Sequence, residues 1–150
     1  MNLAAKIETT RFGAIAIELQ DAIRFPAGLL GLDGLLDWIL LADAEQDALG
    51  WMQSVEDGAV ALPVVSPRRF VPDFQVRVLS RELESLALDR PQSAQVLVIV
   101  SRHEGILTLN LKAPLLVNLE RRLGRQVLNA ADVSVRHEVY CEPAPWKKSA

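Results

Sequence analysis

The sequence contains two histidines, and each lies in the same tripeptide, Arg102-His103-Glu104 and Arg136-His137-Glu138. Imidazole binds metals and titrates near neutral pH, so His103 and His137 are the first candidates for metal binding or acid–base catalysis. A three-ligand metal site would also need a carboxylate, and no His-x-x-His or Glu-x-x-His spacing supports one. We therefore expect no metal and interpret both histidines as residues that flank turns.

The nucleophilic side chains follow no catalytic pattern either. The serines lie at strand ends or helix caps, and none lies in a Gly-x-Ser-x-Gly elbow. Cys141 is the single cysteine, so it forms no internal disulfide, and its neighbours Tyr140 and Glu142 supply no cation to stabilise a thiolate. These observations favour a protein that is not an enzyme and has no cofactor and no small-molecule substrate.

Two groups of arginines raise the question of nucleic-acid binding. They are Arg121, Arg122 and Arg125 around Gly124, and the pair Arg68 and Arg69. Binding of RNA would require these groups to form a basic stripe with aromatic side chains for base stacking. The chain has one Tyr and four Phe, and 16 Lys and Arg against 19 Asp and Glu give a net charge of −3. We expect no direct contact with nucleic acid, and a small RNA-binding β-barrel is the alternative.

Length and composition are typical of one domain spanning residues 1–150. An apolar fraction of 50% is enough for a core without metals or disulfides. We expect an ordered core of about residues 6–140 and a flexible tail at 141–150, which contains two Pro and two Lys. The sequence has no apolar run of membrane-spanning length and no signal peptide at its start, which indicates a cytoplasmic protein without membrane contacts.

Apolar residues at every second position predict the strands. An opening hairpin is predicted from Lys6–Phe12 and Ala14–Gln20, which flank Gly13. Residues 94–101 are apolar enough for a central strand that is buried on both faces. Another strand is predicted where Leu107, Leu109 and Leu111 alternate with polar residues. Further strands are predicted at 38–42, 51–55, 59–66, 75–79, 115–119, 125–128 and 133–137.

Turn and helix signals complete the fold prediction. Asp57-Gly58 predicts a hairpin turn, Pro63 an edge or bulge, and Gly124 the tightest point of a turn. Ser80 can cap a helix that ends near Leu88. We therefore predict a mostly all-β fold, a small antiparallel β-barrel-like domain with one short helix near 80–88.

Several polar side chains interrupt apolar runs. Asn110 and Asn118 are the clearest, because a buried amide without partners costs roughly 1–3 kcal/mol. Each side chain therefore either closes a turn by an internal hydrogen bond or forms its hydrogen bonds with a partner protein. The same two alternatives apply to Gln53 and Arg136.

The C-terminal half carries a family resemblance. It resembles the signature of the FliW flagellar assembly factors. The matching residues are Asn110-Leu111-Lys112-Ala113-Pro114-Leu115-Leu116-Val117-Asn118, then Arg121, Gly124-Arg125-Gln126-Val127-Leu128 and Val135-Arg136-His137. Phe25–Gly34 resembles the family's F-x-x-G-L-x-G-F segment with Leu32 in place of an aromatic residue. Trp51–Ser54 resembles W-x-Q-S, and Pro67–Phe74 resembles P-x-x-F-x-P-D-Y with Phe74 for Tyr. The family usually has an aromatic residue where this chain has Val133. The resemblance runs from about Ile7 to His137.

The resemblance implies a β-barrel-like regulator of flagellum assembly with two protein partners. FliW-like proteins bind the translational repressor CsrA, which relieves repression of flagellin mRNA, and they bind newly made flagellin as a competing partner. Loop residues Glu45, Asp47, Glu56 and Asp57 are candidates for an acidic patch. The candidates for partner contacts are Gln53, Ser54, Phe70, Asp73, Phe74, Asn110, Asn118, Arg121, Arg125, Arg136 and His137.

Overall fold

The computed structural model describes residues 4–139. One α-helix, α1 (Ser80–Glu84), and eleven strands occur in this range. The strands are β1 (Ala4–Thr9), β2 (Gly13–Glu18), β3 (Ile23–Arg24), β4 (Asp37–Ala42), β5 (Leu49–Ser54), β6 (Ala61–Val65), β7 (Gln95–His103), β8 (Ile106–Leu109), β9 (Leu115–Asn118), β10 (Leu123–Gln126) and β11 (His137–Glu138).

Seven strands form a closed barrel. They follow the order β7-β6-β5-β4-β3-β10-β9, and β9 pairs with β7 to close the ring. All pairs are antiparallel except β3 with β10, which meet in parallel at Arg24 and Leu123. β8 and β11 extend the sheet from β7, and β1 with β2 forms a separate hairpin. The predicted mostly-β barrel with one short helix is confirmed.

Apolar side chains that alternate between the two faces of the strands form two hydrophobic cores on opposite sides of the sheet. The barrel interior holds Trp38, Met52, Val64 and Leu97, with Phe25 among them. Neighbouring residues on β5, β6 and β7 pack outward in a second cluster together with residues of β8; the cluster includes Leu49, Trp51, Val65, Val98, Val100, Leu107 and Leu109. β7 is therefore buried on both faces, as its continuous apolar run predicted.

The β1–β2 hairpin is anchored on the turn between β5 and β6. The Thr10 N–H donates to the Gly58 carbonyl over 3.0 Å. Gly58 lies so close to β1 that a Cβ atom there would overlap the carbonyl oxygen of Glu8. Both the opening hairpin and the Asp57-Gly58 turn were predicted, and this contact gives the glycine a second role.

Helix α1 is shorter than predicted. The chain leaves helical geometry at Ala87, where φ is +57°, and the Leu88 N–H returns to the Leu83 carbonyl. Ser80 is also not the cap, because the Glu82 side chain accepts a hydrogen bond from the Leu79 N–H instead. Leu83 and Leu86 pack on Leu116 of β9 and on Val127, which follows β10.

Gly124 is the main correction to the predicted turns. Leu119–Arg122 form the turn, with φ of +54° at Arg122, and Gly124 lies inside β10. There it faces the Phe25 ring, which a Cβ atom would overlap. The glycine is needed for close packing rather than for a bend.

Three predicted strands are shorter or absent. The segment 75–79 forms no strand, and of 133–137 only His137 begins one, β11. β8 ends at Leu109, before the Asn110 turn. Pro63 lies within β6, paired with Trp51 of β5, while the pairing of β6 with β7 covers only Val64 and Val65. No helix in the described range is long and apolar enough to cross a membrane.

Candidate functional site

The two asparagines of the FliW-like signature close turns. Asn118, 8% exposed, donates from Nδ2 to the Leu86 carbonyl over 2.8 Å, and its Oδ1 accepts from the Arg121 N–H. Asn110 Oδ1 accepts from the Ala113 N–H over 3.1 Å. Both amides are therefore used within the fold, and Asn118 ties the turn after α1 to the turn that carries Arg121.

Gln53 and Ser54 are fully buried at the end of β5. Gln53 Nε2 lies within hydrogen-bond distance of the Ser54 and Val60 carbonyls, and Ser54 Oγ accepts from the Asp57 N–H over 3.0 Å. Gln53 Oε1 is buried without a partner among the described residues. These two side chains hold the β5–β6 turn, and this structure does not present them to a partner.

The Pro67–Phe74 segment divides between core and surface. Phe74 is buried in the second core and Phe70 packs against its edge. Asp73 is exposed and lines an open cavity of about 400 Å³ together with His137. The structure thus brings together two predicted site residues that are far apart in sequence.

Arg136 and His137 line a second open cavity, of about 520 Å³, which also contains His103 and Glu104. The two Arg-His-Glu tripeptides therefore meet on one surface. Within residues 4–139, no cluster of three or more His, Cys, Asp or Glu side chains has the arrangement of a metal site. Cys141 lies outside the described residues, as does the predicted tail.

The predicted arginine groups are partly engaged inside the protein. The Arg125 side chain pairs with Glu82 at 3.7 Å, and Arg68 Nε donates to the Phe74 carbonyl over 3.1 Å. Arg121 is exposed in the turn after β9. Two of the arginines proposed for RNA contact thus stabilise local structure.

The predicted single acidic patch is wrong. Glu45 and Asp47 lie in the turn before β5, whereas Glu56 and Asp57 lie in the turn after it. A six-residue strand separates the two turns by roughly 20 Å. The Glu56 carboxylate is moreover used to accept from the Leu36 and Asp37 N–H groups.

Asn129 is a structural residue that the sequence analysis interpreted only as part of a turn. It is 0% exposed. Its Oδ1 accepts from the Arg77 and Ala131 N–H groups, and its Nδ2 donates to the Gln75 carbonyl over 3.0 Å. The amide joins the segment before α1 to the segment after β10. An asparagine directly after the apolar Val127-Leu128 pair was the available signal.

Three exposed leucines lie on the segments that meet at or next to this junction, and we call them the leucine surface. It consists of Leu30, Leu79 and Leu128, which are 76%, 54% and 68% exposed. Gln126 Oε1 accepts from the Leu30 N–H over 2.8 Å, which places Leu30 beside β10. The Ala130 N–H donates to the Arg77 carbonyl, so Arg77, two residues before Leu79, lies beside the residues that follow Leu128.

Asp43 accepts hydrogen bonds with both of its carboxylate oxygens. Its Oδ1 accepts from Trp51 Nε1 over 3.0 Å, and its Oδ2 accepts from the Glu45 and Gln46 N–H groups. The Trp51 hydrogen bond, with help from these N–H groups and from Arg11, lowers the pKa of the Asp43 carboxyl below 3.8, against a smaller opposing effect of desolvation. The ionised carboxylate thereby fixes the indole.

These elements define the class of protein: a small closed β-barrel with an added hairpin, whose signature polar residues close its turns. Residues 6–139 match the model of the FliW protein family, and the chain belongs to that family of flagellar assembly factors. It is 34% identical over 137 residues to the flagellar assembly factor FliW of Bdellovibrio bacteriovorus, covering 89% of this chain and 78% of that protein.

Other relatives agree. The flagellar assembly factor FliW of Alkaliphilus metalliredigens is 33% identical over 130 residues, covering 85% of this chain and 80% of that protein. A crystal structure of the flagellar assembly factor FliW superposes with a TM-score of 0.83 at 28% identity, covering 92% of this chain and 99% of that one. The sequence resemblance to the family is confirmed.

Proposed function

We propose that this protein is a non-enzymatic cytoplasmic regulator that binds a CsrA-like translational repressor and flagellin in alternation. The match to the family of flagellar assembly factors across residues 6–139 carries the proposal. The two partners come from what the FliW resemblance implies. Binding of CsrA relieves repression of flagellin mRNA, and binding of flagellin releases CsrA.

Mass action between two mutually exclusive complexes is sufficient for this regulation. When flagellin accumulates, it occupies the protein and free CsrA rises; when flagellin is exported, the protein becomes available to capture CsrA. No chemical step is needed. The surface must only hold two different polypeptides in turn.

The leucine surface supports a helical partner. The terminal segments that the family resemblance implies for flagellin are amphipathic helices, which dock through a stripe of apolar side chains. Burying one exposed leucine contributes roughly 1.5–3 kcal/mol. Leu30, Leu79 and Leu128 together are enough to anchor such a helix, although ordering the partner offsets part of this gain.

The alternative of an RNA-binding barrel has weaker support. A basic stripe would need several freely positioned arginines, but Arg125 is paired with Glu82 and Arg68 with the Phe74 carbonyl. The net charge of −3 also disfavours the phosphate backbone.

Competition calorimetry with purified components tests the proposal. The protein is titrated separately with flagellin and with CsrA from the same organism, and then with CsrA after saturation with flagellin. We expect each partner to bind alone and prior flagellin to abolish the CsrA signal. Binding of neither partner, or an undiminished CsrA signal, would contradict the proposal. Binding of flagellin mRNA by this protein alone at low salt would favour the RNA-binding alternative.

A further inference from the structure

We propose that a groove in the barrel wall, distinct from the leucine surface, binds a protein segment that carries a large apolar side chain next to a carboxylate. We call it the cationic groove; it encloses about 180 Å³ and is lined chiefly by Arg11, Leu49, Trp51, Pro63, Val100 and Arg102. This inference rests on the proposed function, because the segment that occupies the groove belongs to a protein partner.

Pro63 explains why the wall opens here. Continuing the β6–β7 register would set Pro63 opposite Val100, but the pairing stops at Val64 and Ile99. Proline has no N–H to donate to a neighbouring strand. Beyond this point β7 stays paired with β8 from Val100 to His103, while its other side borders the groove. A chain segment lying there would have a strand edge beside it.

The floor of the groove is apolar and rigid. Leu49, Trp51 and Val100 are 5–6% exposed, so the floor belongs to the second core. Trp51 is fixed by its hydrogen bond to Asp43 and by an edge-on contact with Phe12, with ring centroids 6.0 Å apart. A cavity of about 150 Å³ holds a benzene ring, so this volume accepts one large apolar side chain.

The rim supplies the charge that selects the occupant. The Arg11 guanidinium lies 4.0 Å from the centroid of the Trp51 ring, in a cation–π contact that holds it over the groove. Arg102 also lines the groove but is engaged in another interaction, so Arg11 is the group that selects for charge; no carboxylate is among the described lining residues. Asp43, which accepts a hydrogen bond from the edge of the same indole, offsets part of the Arg11 charge. In a chain of net charge −3, this local positive rim favours a segment with a carboxylate.

The full-length protein, labelled with ¹⁵N, allows a test of the groove without any protein partner. It is titrated with 4-phenylbutyrate, which combines a ring with a carboxylate, and with 4-phenylbutylamine of opposite charge. The carboxylate is expected to shift the Trp51 indole N–H and the Val100–Arg102 amides, with an affinity of about 1 mM for a ligand of this size. The amine is expected to leave these signals unchanged. Equal shifts with both compounds, or shifts elsewhere, would overturn the proposal.

Charge-reversal variants then connect the groove to the partners. Arg11→Glu is compared with Arg90→Glu, which makes the same charge change at another exposed arginine, and Arg11→Met keeps packing on Trp51 if Arg11→Glu does not fold. Replacing Arg11 is expected to weaken flagellin or CsrA binding by about tenfold or more, with Arg90→Glu within about twofold of wild type.

The outcomes separate the two proposals. If wild type binds neither partner, the proposed function fails, while the phenylbutyrate titration still decides the groove. If wild type binds and Arg11 variants match Arg90→Glu for both partners, the groove proposal is overturned and the proposed function stands. A loss of self-association in Arg11→Glu at unchanged partner affinity would identify a second copy as the occupant and would also overturn it.

Discussion

The ring of Phe25 lies directly against the backbone of Gly124, so closely that a Cβ atom on Gly124 would overlap it. Phe25 is fully buried in the barrel interior, and Gly124 lies in β10, next to the point where β3 and β10 meet in parallel. The two residues belong to separate segments that carry the FliW resemblance. The contact thus couples the Phe25–Gly34 loop to the closure of the barrel.

We predict that Gly124→Ala destabilises the protein by about 1–3 kcal/mol, because the added methyl group must displace the ring or the strand. Urea denaturation measures the change. Gly50→Ala is the matched control, since its Cβ would lie 3.4 Å from its nearest neighbours. Adding Phe25→Leu should recover part of the loss at Gly124. Equal losses at Gly124 and Gly50 would contradict the predicted overlap.

Local sequence patterns predicted the elements that depend on near neighbours. The apolar run at 94–101 became β7, buried on both faces, and Asp57-Gly58 became a hairpin turn. Periodicity and turn chemistry reside in a few consecutive residues, so they can be read without knowing the fold.

Features set by distant contacts were not predictable in this way. Asn129 forms a hydrogen bond with Gln75, which is 54 residues away, and the ring that packs on the Gly124 backbone belongs to Phe25. A glycine that makes room for a ring and a glycine that bends a turn look alike in sequence. Likewise, Gln53 and Ser54 could be matched to a family motif, but only the structure shows that their polar atoms close a turn.

Asn129→Ala should cost about 2–4 kcal/mol, because it leaves backbone groups on three segments, at Gln75 and Arg77, at Leu111 and at Ala131, without their hydrogen-bond partner. Asn110→Ala is the matched control and should cost about 1 kcal/mol, since the Asn110 side chain accepts a hydrogen bond from the Ala113 N–H of its own turn. Chemical denaturation of both variants measures how much free energy of unfolding each one loses. A larger loss at Asn110 than at Asn129 would show that Asn129 does not hold its three segments together.

The lowered pKa of Asp43 predicts an acid-dependent contribution to stability. A carboxyl whose folded pKa lies below its unfolded value stabilises the fold above about pH 4, and this contribution is lost as the pH falls through the folded pKa. Asp43→Asn should therefore be less stable than wild type at pH 7, and the difference should shrink as the pH falls below the normal carboxyl pKa. Denaturation at pH 7 and over a series of acidic pH values measures this difference, with the exposed Asp47→Asn as control. A difference that does not change with pH would contradict the assigned role of the charge.

The leucine surface predicts a loss of binding without a loss of stability. Leu30 and Leu128 are 76% and 68% exposed, so the double change to Ser should alter the free energy of unfolding by less than about 0.5 kcal/mol per site. If both side chains anchor a flagellin helix, the same variant should weaken flagellin binding by about tenfold or more, because each buried leucine contributes roughly 1.5–3 kcal/mol. Isothermal calorimetry measures the affinity, and denaturation verifies that the fold is intact.

Leu19→Ser, at a leucine 42% exposed outside this surface, is the control and should bind like wild type. If the double variant binds flagellin as tightly as this control, the helix does not dock on the leucine surface, and the docking part of the proposed function must be placed elsewhere on the barrel.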